Sequence, residues 1–130
     1  MGSRHAAPVW FLPMFAWMGL IFTLSSRQQF PSPGGWRDDV LAVLAHLFLF
    51  GTLAILMLIA VSRMGPVTWR TATGVVVAVM IYGVSDEVHQ SFVPGRNASV
   101  FDVVVDTIGA SVVAFVWAVL ARSRSRLSAS

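Results

Sequence analysis

The polar stretch SDEVHQSFVPGR, at residues 85–96, separates two long apolar segments of this chain and fixes where each of them can end or begin. It is the one dense polar block in a sequence of 130 residues that is 56% hydrophobic and only 12% charged. Acidic residues are concentrated between Asp86 and Asp106, and one of the three histidines lies there too. Ionisable groups beside long apolar segments are costly and persist mainly where they serve a function. We therefore expect the functional site to be built around this block.

The composition indicates an integral membrane protein. About a quarter of the residues in ordinary soluble domains are charged, whereas this chain has 12% charged residues and a mean hydropathy of +0.74. Its nine basic residues are all arginines, dispersed among apolar residues. The sequence pI of about 11.1 therefore favours contact with anionic lipid and not with nucleic acid. The absence of cysteine excludes disulfides, thiol nucleophiles and cysteine-ligated metals.

Four apolar segments predict an all-α, integral membrane four-helix bundle that makes residues 1–130 a single domain. The predicted spans lie at about residues 8–26, 40–61, 69–92 and 100–121. A helix of about 22 residues covers roughly 33 Å, enough to cross a bilayer. The third segment is apolar only as far as Val84, which places Asp86 and Glu87 near the headgroup boundary. No small-x-small pattern follows the first segment, so we do not expect it to be cleaved as a signal peptide.

The arginines are divided unevenly between the two ends of such a bundle. If the four helices alternate in direction, one side holds Arg4, Arg63, Arg70, Arg122, Arg124 and Arg126, and the other holds Arg27, Arg37 and Arg96. Short cytoplasmic loops are enriched in basic residues. We therefore predict that both termini are cytoplasmic and that the polar block faces outward.

Helical spacing predicts which polar side chains of the third helix share a face. The residues of one face follow one another at intervals of three or four: Tyr82, Asp86, His89 and Gln90. Glu87 points about 100° away from that face, in a row with Gly83 and Ser91.

The second and fourth helices contribute further polar groups at similar depth. His46 lies some two turns into the second helix, and Asp102 and Asp106 form one stripe of the fourth. Small residues would let the helices approach closely; these are Gly51, Gly74, Gly83 and Gly109. Such packing would surround one outward-facing pocket with these side chains: His46, Asp86, His89, Gln90, Arg96, Asp102 and Asp106.

Several of the polar side chains also have a purely structural interpretation. His46 would then be a core histidine that bonds a carbonyl of a neighbouring helix. Glu87, and also Asp86, would be part of a polar helix end that meets water. Arg96 would anchor lipid phosphates, or would pair with Asp86 or Asp102 and hold the loop in place.

Several segments of the chain resemble VanZ-like membrane proteins, a family named for a teicoplanin-resistance protein of bacterial glycopeptide-resistance clusters. The matching residues are Ile21-Phe22-Thr23-Leu24-Ser25-Ser26, Ala45-His46, Gly51, Asp86-Glu87, Gln90, Phe92, Pro94-Gly95-Arg96, Asp102 and Gly109. The resemblance covers most of the chain. It implies a multi-pass protein of the bacterial inner (cytoplasmic) membrane with a role in the cell envelope, and it adds Ser25 to the candidate site.

Asp106 is where this chain departs from the family pattern, which usually has asparagine there. A carboxylate inside a membrane helix costs about 2.5–3.5 kcal/mol at mid-depth unless it is paired. Asp106 therefore either ionises beside Arg96 or His46, or stays protonated and takes the place of the neutral amide.

One function class is a membrane protein that binds its ligand without catalysing a reaction. It would recognise a lipid-linked, cell-wall or glycopeptide-type ligand at the outer leaflet and contribute to glycopeptide resistance, as the resemblance implies. The candidate ligand-binding residues are Gln90, Arg96, Asp102, Asp106, Ser25 and Tyr82. A transporter built on the same pocket would require an oligomer, because four helices are few for enclosing a solute path. A structural partner in a larger envelope complex is a third alternative.

The other function class is a membrane-embedded hydrolase or transferase that acts on a lipid or cell-wall substrate. Asp86, Glu87 and His46 would supply the general acid and base, and Arg96 would hold an anionic phosphate or carboxylate. A metal-assisted form would draw its ligands from His46, His89, Asp86, Asp102 and Asp106. No compact metal motif fixes their spacing, and the GxGxxG, P-loop, HExxH and GxSxG patterns do not occur.

Overall fold

The helices follow the apolar segments in order. A computed structural model describes residues 8–28 and 34–127, with side chains for 9–28 and 34–124. A 3₁₀ turn at Pro8–Phe11 leads into α1 (Leu12–Ser25), followed by α2 (Trp36–Ser62), α3 (Trp69–Gln90) and α4 (Val100–Leu127). The described residues contain no strand, which confirms the all-α prediction. Arg4, residues 29–33 and the Arg126 side chain lie outside the described residues.

Three helix boundaries differ from the sequence prediction. The fourth helix ends at Leu127 and not near residue 121. The second helix begins at Trp36 and not near Val40, because Asp38 and Asp39 fall in its first turn, where carboxylates favour a helix N-terminus. The third helix begins at Trp69 as predicted, with the Thr68 hydroxyl accepting a hydrogen bond from an N–H of the first turn. It ends at Gln90 and does not continue to Phe92.

Three helices are long and apolar enough to cross a membrane: Trp36–Ser62, Trp69–Gln90 and Val100–Arg124. The first helical segment, Val9–Ser25, is apolar but shorter. Large apolar side chains are exposed on the outer faces of the helices, such as Leu41, Phe48 and Ile81. Exposed apolar surface on this scale indicates contact with lipid. The chain is therefore an all-helical membrane protein.

The helices run up and down, and their contacts define two ends of the bundle. At one end the Arg63 guanidinium lies 4.2 Å from the centre of the Trp10 ring, and the Trp69 and Phe115 rings are 5.8 Å apart. At the other end α1 and α3 finish while α2 and α4 begin. We call this second end the polar end, because the buried polar side chains lie there.

Glycines decide how closely the helices approach at the polar end. A Cβ on Gly109 would lie 3.3 Å from the Leu47 carbonyl oxygen, and one on Gly83 would lie 3.1 Å from Asp106 Oδ2. Helix α4 therefore packs tightly against both α2 and α3. Gly74 has no described neighbour within 4 Å of such a Cβ, so the predicted close approach at that position is wrong.

Candidate functional site

The buried polar side chains of the described residues gather at the polar end. They are Ser25, Asp86, Glu87, Gln90 and Asp106. Each is among the site residues that the sequence predicts. The structure divides them into two groups on different faces of α3, because Asp86 and Glu87 are adjacent and point about 100° apart on a helix.

Asp86 is the centre of the first group. Its Oδ1 accepts a hydrogen bond from the Ser25 hydroxyl at 2.6 Å, and its Oδ2 accepts one from Gln90 Nε2 at 2.9 Å. Gln90 lies one turn further along the same helix, so the second bond is the i,i+4 contact that the spacing predicts. Both carboxylate oxygens are thus engaged, and the carboxylate joins α1 to α3.

A cleft of about 340 Å³ opens beside this group, between α1, α2 and α3. One wall is apolar and consists of side chains such as Ile21, Leu24, Ala42 and Leu49. The polar lining comprises Ser25, Arg27, Gln28, His46, Asp86, Gln90 and Arg96. We call it the amphiphilic cleft, since it sets apolar surface beside two arginines.

Arg96 links the loop after α3 to the end of α1 through hydrogen bonds. Its Nε donates to the Arg27 carbonyl oxygen at 3.2 Å, and its Nη2 donates to the Leu24 carbonyl oxygen at 3.0 Å. These carbonyls lie at a helix C-terminus, where backbone acceptors lack intrahelical partners. Within the described residues Arg96 makes no ion pair, so the interpretation in which it pairs with Asp86 or Asp102 is wrong.

His46 lies between the two groups. Its ring lines the cleft, and its Nδ1 is 2.9 Å from Asp106 Oδ1. The Nε2 atom is 3.9 Å from Asp102 Oδ2. The ring is parallel to that of Phe50, with centroids 6.0 Å apart. Of the two pairings that the sequence left open for Asp106, the structure forms the one with His46.

Glu87 belongs to the second group, on the α4 side of α3. Its Oε2 accepts a hydrogen bond from the Ser99 backbone N–H at 2.7 Å, just before α4 begins. Its Oε1 is buried without a hydrogen-bond partner. Ligand atoms of His46, Glu87 and Asp102 lie within 4.8 Å of one another. We call His46, Glu87, Asp102 and Asp106 the acidic cluster.

Two predicted site residues lie elsewhere and hold α1 in place. His89 Nε2 is 2.9 Å from the Ser26 hydroxyl, and its ring stacks on Phe22 at 4.3 Å. The Tyr82 hydroxyl donates to the Met18 carbonyl oxygen at 2.7 Å. The face of α3 predicted to carry Tyr82, Asp86, His89 and Gln90 is therefore formed, and it packs against α1.

Five participants were not predicted from the sequence. Arg27 and Gln28 line the cleft, and the Ser99 N–H, the Ser26 hydroxyl and the Phe50 ring each contact a predicted residue. No local pattern marks any of them as part of a site. Ser26 was the closest to being found, because it stands in the segment that resembles the family.

A bundle of apolar helices with buried carboxylates and a histidine at one end defines a helical membrane protein with a buried polar site. The family described as VanZ/LLP1 matches residues 8–121. The chain belongs to this family, as its motif predicts. No curated protein and no solved structure matches the chain.

Proposed function

We propose that this protein recognises an anionic, lipid-linked cell-wall ligand at the outer leaflet of the bacterial inner membrane. The observation that carries the proposal is the amphiphilic cleft, in which an apolar wall leads to Arg27 and Arg96. The teicoplanin-resistance protein from which the family takes its name supports a role in the cell envelope. A contribution to glycopeptide resistance follows if the ligand bound is a wall precursor or the glycopeptide itself.

The two arginines supply the charge that such a ligand requires. A guanidinium has five N–H donors, and Arg96 uses two of its groups, Nε and Nη2, on backbone carbonyls. The Arg27 side chain is exposed and makes no ion pair with a described residue. Phosphate and carboxylate groups match guanidinium geometry and form strong charge-assisted hydrogen bonds. The apolar wall suits the lipid chain that carries such a group.

The orientation of the bundle belongs to the same proposal. In the described residues Arg63, Arg70 and Arg122 lie near the end opposite the polar end. With Arg124, and with Arg4 and Arg126 assigned to that end from the sequence alone, it has six arginines against three at the polar end. This excess supports a cytoplasmic location for that end. The cleft then opens toward the outer leaflet, where lipid-linked wall precursors are used.

Binding of a polyprenyl pyrophosphate to the purified protein in lipid nanodiscs tests this proposal, with the uncharged polyprenol as the control ligand. We expect Arg27→Gln to weaken binding about tenfold or more, since a charge-assisted hydrogen bond contributes roughly 1.5–3 kcal/mol. Arg37→Gln is the matched control, because Arg37 lies at the same end but does not line the cleft. Equal affinity for the polyprenyl pyrophosphate and the uncharged polyprenol would contradict the proposed function. An equal loss of binding affinity in Arg27→Gln and Arg37→Gln would also contradict it.

A hydrolase or transferase is the second candidate, favoured by the hydrogen bond between His46 and Asp106 beside the cleft. A carboxylate that orients a histidine is the arrangement of a general base. Asp86 or Glu87 would supply the acid. Release of inorganic phosphate from the pyrophosphate ligand, abolished by His46→Gln but not by His89→Gln, would favour this function over binding alone.

A further inference from the structure

The acidic cluster brings ligand atoms from three helices to one point. His46 of α2, Glu87 of α3 and Asp102 of α4 each offer one nitrogen or oxygen, and these atoms lie within 4.8 Å of one another. Atoms that bind one zinc ion at about 2.0–2.2 Å in tetrahedral geometry are roughly 3.4 Å apart. The observed separation of 3.9 Å between His46 Nε2 and Asp102 Oδ2 is close to that value. Small side-chain rotations would close the rest of the distance.

Glu87 supplies an independent indication that something binds here. The residue is only 6% exposed, and the Ser99 N–H occupies Oε2. Oε1 is buried and has no hydrogen-bond partner. A buried acceptor without a partner is costly, and a carboxylate oxygen in that position is a ready ligand for a cation.

The charges of the cluster are also unbalanced. Glu87, Asp102 and Asp106 surround His46, and no arginine of the described residues forms an ion pair with them. Burying an uncompensated carboxylate costs several kcal/mol in a low-dielectric interior, and Glu87 and Asp106 are both buried. A divalent cation would neutralise Glu87 and Asp102 together.

Asp106 arranges His46 for such a role. The Asp106 oxygen lies 2.9 Å from Nδ1 and accepts a hydrogen bond from the Nδ1–H. In that tautomer the Nε2 lone pair is free and directed toward Asp102. Histidine ligands of metals usually make this kind of hydrogen bond through their other nitrogen. The absence of a side chain at Gly83 leaves room for the Asp106 carboxylate, since a Cβ at position 83 would lie 3.1 Å from Asp106 Oδ2.

We propose that His46 Nε2, Glu87 and Asp102 bind one first-row divalent cation, with Asp106 as the positioning residue for His46. One imidazole and two carboxylates suit Zn²⁺, and three protein ligands leave a fourth position open. The ion would join α2, α3 and α4 at the polar end. This site does not depend on what occupies the amphiphilic cleft, although His46 borders both.

Cobalt binding to the purified full-length protein tests the proposal directly. The protein is prepared in detergent without a histidine tag, stripped with EDTA and titrated with Co²⁺, whose visible absorption reports coordination, and then with Zn²⁺ in competition. We expect saturation at one ion per chain. His46→Gln, Glu87→Gln and Asp102→Asn should each abolish it, and Asp106→Asn should weaken it about 10- to 100-fold.

Matched controls separate this site from other histidines and acids. His89→Gln and Asp39→Asn change the same residue types outside the cluster and should bind cobalt as the unchanged protein does. Zn²⁺ should also raise the melting temperature of the unchanged protein and of both controls, because it binds only the folded state. Absence of saturable binding, or equal binding in the ligand variants and the controls, would overturn the proposal. If a variant of a metal-binding residue does not fold, Asp106→Asn takes its place in the test. Unchanged cobalt affinity in Asp106→Asn would contradict the proposed site.

Discussion

The Ser25 hydroxyl donates a 2.6 Å hydrogen bond to Asp86 Oδ1 across 61 positions of sequence. This bond, buried at both partners, joins the end of α1 to the last turn of α3. Arg96 also binds the end of α1, and His89 contacts Ser26 and Phe22 there. Three sets of contacts therefore hold the shortest helix of the bundle at the polar end. Ser25, Asp86 and Arg96 also line the amphiphilic cleft.

Ser25→Ala should lower the stability of the protein in detergent. The variant loses one donor to a buried carboxylate, and hydrogen bonds to charged groups contribute about 1.5–3 kcal/mol. A lowered melting temperature is the expected result. Ser85→Ala is the control, because the Ser85 hydroxyl is exposed and bonds only the Tyr82 carbonyl of its own helix. Equal melting temperatures for the two variants would show that the contact with Asp86 contributes little.

Asp86→Asn should leave the protein folded and abolish its function. The Gln90 amide can turn to present its oxygen, and the Ser25 hydroxyl can bond the Ile21 carbonyl, which lies 3.0 Å away. An amide has only one acceptor oxygen, however, so the hydrogen bonds that hold Ser25 and Gln90 in the cleft wall are rearranged. Resistance to a glycopeptide and the amount of protein in the membrane are measured together. Arg96→Ala, which changes another residue of the cleft, is measured in the same way. Unchanged resistance in both Asp86→Asn and Arg96→Ala, at an equal amount of protein, would contradict a role of the cleft in function.

Asp106→Asn should be tolerated better than Asp106→Leu. Asparagine keeps an oxygen that can accept the Nδ1–H of His46, whereas leucine leaves that donor unsatisfied in the interior, at a cost of about 1–3 kcal/mol. Melting curves recorded with EDTA, so that bound metal does not contribute, compare the two variants. If asparagine lowers the melting temperature as much as leucine does, the charge of Asp106 is itself required.

Gly83→Ala should destabilise the bundle, and Gly74→Ala on the same helix should not. A methyl group on Gly83 would lie 3.1 Å from Asp106 Oδ2 and 3.6 Å from Phe50, whereas none of the described atoms lies within 4 Å of one on Gly74. Overpacking of this kind costs about 1–3 kcal/mol. Thermal unfolding of the pair measures the difference. A Gly83→Ala variant as stable as Gly74→Ala would mean that α4 does not approach α3 as closely as described.

A phosphatase reporter that is active only outside the cytoplasm should be inactive when fused after Ser130. The same reporter fused after Asn97, in the loop between α3 and α4, should be active. Both expectations follow from the excess of arginines at the end opposite the polar end. Activity after Ser130 in an intact fusion would reverse the proposed orientation.

The helices and most of their limits were predictable because they depend on local features. Hydropathy located the four segments, and Pro94-Gly95 marked the stop after α3. The face shared by Tyr82, Asp86 and Gln90 followed from a repeat of three or four residues. The start of α2 was predicted too late, because Trp36 and the acids after it were assigned to the preceding loop. Carboxylates in fact favour the first turn of a helix.

Most residues of the candidate site were predicted, but Arg27 and Gln28 were not, and neither was the arrangement of the site. The sequence placed its residues around a single pocket, whereas the structure has an amphiphilic cleft and an acidic cluster that share only His46. Spacing correctly predicted that Glu87 points away from Asp86. It could not show that the Ser99 N–H would bind the Glu87 carboxylate or that this carboxylate would lie near His46. His89 was a candidate metal ligand because it is a histidine. Its contacts with Ser26 and Phe22 depend on how α1 packs against α3, which the sequence does not show.

By itself, the sequence determined that this chain is a bundle of membrane helices whose buried acids and His46 lie near one end, since hydropathy and helical period act within a single segment. Only the tertiary structure decided which groups meet. The rotation of α3 between α1 and α4 depends on close packing at Gly83 and Gly109 and on contacts between residues up to 72 positions apart. Those contacts act together over the whole bundle, so no single stretch of the sequence encodes the result.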